Sequence, residues 1–171
     1  MTAQRQRHEP LWTQPRGESR PILLATFFSV PFDQSACELA VESAVEVGVP
    51  LVVVNIVELP PLPMSVRLGF DHLDDPPDVV VALQAPAKLA SSLGVQVERL
   101  LVRSPRPIAA LLQLTAERRP GLLVLGSEHA RLGRRFSARL WRIVCDEACC
   151  LVWRPGDGYD SPADRTAGTS S

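Results

Sequence analysis

The sequence predicts an α/β fold: a single open, doubly wound sheet of five parallel strands in the order 3-2-1-4-5. Three observations predict it. Short runs dense in Val, Leu and Ile alternate with stretches of helical period, the pattern of buried strands joined by crossover helices. Right-handed crossovers then restrict how the strands can be laid side by side. A length of 171 residues with 46% hydrophobic content suffices for one sizeable core, and no internal repeat divides it.

The chain reads as tail, core and tail. Residues 1–20 are rich in Gln, Arg, Pro and Glu, with Trp12 as the one large apolar side chain, so they cannot offset the entropy of ordering and are expected to form a disordered arm. Residues 155–171 turn to Gly, Asp, Ser, Pro and Thr and are expected to be a second disordered tail. The domain is expected over 21–154. A formal charge of −1 gives no global attraction to nucleic acid or to an anionic membrane, so any basic function must be local. No apolar run of membrane-spanning length occurs, and the first twenty residues are studded with Arg and Glu in place of a signal core; a soluble, cytoplasmic protein is expected. Cys37, Cys145, Cys149 and Cys150 lack paired metal-site spacing and are expected to be buried or half-buried reduced thiols with no metal site; the alternative, a redox or metal role for the Cys145, Cys149 and Cys150 cluster, has no neighbouring histidine to support it.

Taken in order, Pro21–Thr26 is the first strand. Ser29 is positioned to cap the next helix, with Pro31 in its first turn and Asp33 near the positive end of its dipole. In that helix Ala36, Ala40, Ala44 and Val47 share an inner face, Glu38, Glu42 and Glu46 an outer one, and Gly48 follows as C-cap. Leu51–Val57 reads as a central strand interrupted only by Asn55. Five prolines make Leu59–Pro77 a long loop. A helix over Asp78–Leu93, capped near Asp75, is expected to be kinked or interrupted at Pro86. Val95–Val102 is the third strand, Ser104–Arg118 the third helix with Pro105 and Pro107 in its opening turn, and Gly121–Leu125 the fourth strand. A polar loop from Gly126, a helix over Phe136–Glu147 and a last strand over Cys149–Trp153 complete five strands and four helices.

Several local words carry a family resemblance. They are the opening Ile22-Leu23-Leu24-Ala25-Thr26-Phe27-Phe28-Ser29, the strand exit Val53-Val54-Asn55-Ile56-Val57-Glu58, and Leu93-Gly94-Val95-Gln96-Val97. The turn Ser104-Pro105-Arg106-Pro107-Ile108, the strand and exit Leu122-Leu123-Val124-Leu125-Gly126-Ser127, and Ile143-Val144 with Cys149-Cys150-Leu151-Val152 follow in the same order. Together they make Pro21–Arg154 resemble the universal stress protein domain. The resemblance implies a Rossmann-like sheet of the adenine nucleotide alpha hydrolase type, with a ligand crevice at the carboxyl ends of the first and fourth strands. It also implies adenine near an acidic turn after the first strand and phosphates on a loop of pattern G-x-x-G, nine residues, then G and Ser or Thr.

Pocket remnants on this pattern are Ala25, Thr26, Phe27, Ile56, Leu125, Gly126, Ser127, His129, Ser137 and Ala138. Gly126 and Ser127 keep it, and Ile56 suits either an adenine contact or plain core. Phe27 replaces the family's Asp, His129 its second glycine, and Ser137 and Ala138 fall where Gly and Ser or Thr belong. Beside these lie Arg131, Arg134, Arg135, Arg139 and Arg142, whose guanidinium forks suit phosphate and whose spacing equally suits a solvated helix face. Neither Glu128 with His129 nor Ser29 or Ser127 has partners for acid/base or triad chemistry. The reading favours a binding or regulatory module in the stress response without catalysis or cofactor. It is expected to be a homodimer through the last strand and to act on a protein partner, with neither membrane nor nucleic acid as its target. The alternative is a protein that binds ATP or AMP weakly on an arginine-rewired phosphate loop, with slow hydrolysis.

Overall fold

The structure, a computed structural model, describes residues 19–59 and 77–155. Most of the expected arm at 1–20, of the tail at 155–171 and of the proline-rich loop at 59–77, including the Asp75 cap, lies outside the described residues. Strands β1 (Ile22–Phe27), β2 (Leu51–Glu58), β3 (Val97–Ser104), β4 (Leu122–Leu125) and β5 (Leu151–Trp153) form one sheet. Every pairing is parallel and the order is β3-β2-β1-β4-β5, as the sequence predicts. Helices α1 (Gln34–Val47), α2 (Pro77–Ser92), α3 (Pro107–Arg118), α4 (His129–Leu132) and α5 (Arg134–Glu147) connect them.

Alternation along each strand divides the core into two layers. Ile22, Leu24, Leu51 and Val53 face α1 and α2, packing on Ala36, Ala40, Ala44, Leu83 and Ala90. Leu23, Ala25, Phe27, Val54 and Ile56 face α3 and α5, packing on Leu111, Leu114, Leu140 and Val144. β1 is buried along its whole length, which is why its six residues are apolar but for Thr26. Each large aliphatic side chain so buried contributes about 1.5–3 kcal/mol.

Several expected boundaries move, each for a local reason. α1 begins five residues after Ser29. Asp33 is its cap, accepting from the Ser35 and Ala36 amides at 2.9 and 3.4 Å, while Phe28 and Ser29 adopt left-handed backbone at φ 53° and 60° and turn the chain before Pro31. Val47 is exposed, and Val41 takes its expected place in the core. α2 runs through Pro86 without a break. β3 starts at Val97 because Gly94, at φ 79°, and the bond from the Val95 amide to the Ala90 carbonyl still belong to the end of α2. Ser104 ends β3 opposite Glu58 and so cannot open α3, which has Pro107 at its start. The expected polar loop contains α4, a single turn closed by the Arg131 and Leu132 amides on the Glu128 carbonyl, so the described residues hold five helices and not four. Gly133 at φ 81° separates it from α5, which starts two residues earlier than expected. Of the thiols, Cys37 and Cys150 are half-buried as expected, but Cys145 and Cys149 are exposed. Among the described residues no helix is long and apolar enough to cross a membrane.

Candidate functional site

The crevice between the carboxyl ends of β1 and β4 gathers most of the expected remnants. Register places Ala25 beside Leu125 and Phe27 beside Ile56. Thr26, buried, donates to the Val30 carbonyl at 2.7 Å and shares a 3.0 Å hydrogen bond with the Ser127 hydroxyl. The Phe27 amide donates to the same Ser127 oxygen at 3.2 Å. Both hydroxyls are thereby spent on the protein's own turns.

The two loops that flank the crevice are also bonded to each other. Phe32 and Ser127 form an isolated antiparallel bridge. The Asp33 amide donates to the Gly126 carbonyl at 2.7 Å and the Glu128 amide to the Pro31 carbonyl at 3.2 Å. The Gly126 amide completes the parallel ladder on the Ala25 carbonyl at 2.7 Å. Gly126 has no left-handed φ; its lack of a side chain matters because a Cβ there would lie 2.7 Å from both Leu24 Cδ1 and Phe32 Cδ1.

Aromatic packing fills the α5 side. Phe27 is fully buried and meets Phe136 edge-on with centroids 5.4 Å apart, and Phe28 meets the same ring at 4.9 Å. Ser127 and Ser137, both buried, line with Leu125 a cavity of about 10 Å³, the threshold for a single water. The turn that bears Phe28 and Ser29 is held from β2. The buried Asn55 accepts from the Ser29 amide at 3.2 Å and donates from Nδ2 to its hydroxyl at 3.3 Å.

Other expected residues stay apart from this centre. Ala138 is exposed, and the backbone of His129 opens α4. Arg131 pairs with Glu128 at 2.9 Å. Arg134, Arg135, Arg139 and Arg142 are exposed along α5. Two of the thiols are held protonated. Burial, with Asp33 and Glu38 adding to it, pushes the Cys37 thiol up to about 11, and burial followed by Cys149 raises Cys150. Among the described residues no group of three His, Cys, Asp or Glu side chains is placed to hold a metal. Asn55, Pro31 and Phe32 organise the crevice without having been expected to. The signal for Asn55 is a lone polar residue inside a strand whose burial demands a partner.

An open parallel sheet of this order, with a loop-lined crevice at the carboxyl ends of β1 and β4, defines the Rossmann-like class of α/β domains. The universal stress protein family model matches residues 18–140, and the chain belongs to that family. Among solved structures it is similar to a universal stress protein family member from Burkholderia pseudomallei, at 21% identity and TM-score 0.53, covering 82% of this chain and 98% of that one. A universal stress protein from Archaeoglobus fulgidus in complex with dAMP matches at 20% identity and TM-score 0.53, covering 79% and 96%. A universal stress protein in complex with cAMP matches at 16% identity and TM-score 0.51, covering 80% and 95%. No curated protein matches the chain.

Proposed function

We propose that this chain is a regulatory or binding module of the universal stress protein type whose nucleotide crevice is closed by its own residues, and that it works through partners without catalysis. The supporting observation is the bonding between the loops that flank the crevice. The Glu128 amide, at the start of the would-be phosphate loop, is bonded to Pro31, and the Ser127 hydroxyl is engaged by Thr26 and the Phe27 amide. A phosphate needs several free amide donors and room for its oxygens. Phe27 adds to the case: where an acid would accept from adenine or ribose, a buried ring packs on Phe136. Losing one charge-assisted hydrogen bond costs on the order of 1.5–3 kcal/mol, whereas exposed arginines recover less than about 1 kcal/mol each.

The second reading, a weakly held ATP or AMP with slow hydrolysis, has one observation in its favour: Arg134 and Arg135 stand exposed in the first turn of α5. The complexes of the similar proteins with dAMP and cAMP supply its motive. Calorimetry with nucleotide-stripped protein at about 0.15 M salt separates the two. The first reading expects an ATP affinity no better than about 0.1 mM, equivalent to roughly 5.5 kcal/mol. Low-micromolar binding lost in Arg134→Ala or Arg135→Ala establishes the second.

The same proposal includes a cytoplasmic homodimer joined through β5. That strand ends the sheet, pairs on one side with β4 only, and carries Leu151 at 74% exposure. An edge with unpaired backbone groups and an exposed leucine favours addition of a second copy.

A further inference from the structure

α5 presents a charge pattern that the closed crevice does not use. Arg134, Arg135, Arg139 and Arg142 are exposed and make no ion pair among the described residues, in a chain whose formal charge is −1. Arg134 and Arg135 stand in the first turn, at the positive end of the helix dipole and with no acidic residue there, so their placement is unfavourable to the free helix. Beside this face, between α5 and the start of α3, runs a cleft of about 400 Å³. Ile108, Phe136 and Ile143 form its apolar walls; Arg106, Arg139 and Glu58 stand on its rim. Arg106 is likewise exposed and unpaired among the described residues.

We propose that this cleft and the adjoining arginine face form a docking surface for an acidic protein segment, with one apolar side chain inserted between α3 and α5 and carboxylates on Arg106, Arg135 and Arg139. The inference rests on the reading of the chain as a binding module and names the surface used. Charge complementarity selects the class of partner: guanidinium forks match carboxylates in pairs, and the concentration of exposed arginines on one helix gives an acidic segment its register. The apolar walls select against a simple polyanion, which has nothing to place there. Single-stranded nucleic acid needs exposed aromatic platforms for its bases. Here Phe136 is half-buried under Phe27 and Phe28, and the Trp141 ring is covered by the Arg154 guanidinium at 4.2 Å.

The test is fluorescence anisotropy on the full chain with a labelled synthetic peptide in which a central leucine is flanked by glutamates. Saturable binding is expected that weakens at least about 10-fold when the peptide leucine becomes serine. It should also weaken about 3-fold for each of Arg106→Ala and Arg139→Ala and fade as salt is raised. Arg99→Ala, an equal loss of exposed charge on β3, should leave binding unchanged. The peptide variant probes the apolar contact without touching the fold of the protein. No saturable binding, indifference to the leucine, an equal loss in Arg99→Ala, or tighter binding of a single-stranded RNA of equal charge overturns the proposal. A parallel ATP titration keeps the two readings apart: peptide failure without ATP binding removes only this surface, whereas tight ATP binding removes the closed crevice.

Discussion

Gly126 shows how one residue type can be retained for a different physical reason. In the family pattern a glycine here lets backbone approach phosphate; in this chain Leu24 and Phe32 press against the site a Cβ would take. Gly126→Ala is therefore expected to destabilise the fold by about 1–3 kcal/mol through overpacking, read as a lower urea midpoint. Unchanged stability would mean that Phe32 does not cover the glycine. That a ring, Phe27, stands where the family has an acid was legible in the sequence through the resemblance. Phe32 was not: nothing in its spacing says that it bridges to Ser127, since that contact spans most of the chain. Asn55 lies between the two. Its polarity inside an apolar strand was visible, but its partner Ser29 looked like a helix cap until Asp33 proved to fill that role.

At the scale of elements, hydrophobic periodicity located every strand and every long helix among the described residues, and the errors fall at their ends. Ser104 and Val95 were assigned across a boundary because strand pairing and helix capping compete for the same residues, and the winner depends on a neighbour in space. The turn α4 escaped notice because four residues carry no period. β5 has three residues and one partner strand, so its own ladder contributes little and an added copy would contribute more. Leu151→Lys places a charge on that edge at a position already 74% exposed, leaving the monomer fold intact. Light scattering is expected to show a shift from dimer to monomer. A dimer that survives the substitution lies on another surface.

For the whole molecule, the two-layer core follows from alternating apolar runs, and the sheet order from right-handed crossovers together with the family resemblance, which is why the fold could be read from the sequence. The state of the crevice could not. It depends on whether the β1–α1 and β4–α4 loops reach each other, and here two left-handed residues, Phe28 and Ser29, steer the first loop onto the second. Such backbone costs of order 1–3 kcal/mol per residue and persists only where surrounding contacts fix it, as Asn55 and Thr26 do. Amide chemical shifts of isotope-labelled protein during an ATP titration report on the proposed closure of the crevice itself. With ATP held to about 10 μM, a tenth of the tightest dissociation constant allowed above, the amides of Phe27, Gly126, Ser127 and Glu128 are predicted to stay in place. Saturable movement of those four signals at micromolar ATP would contradict the account.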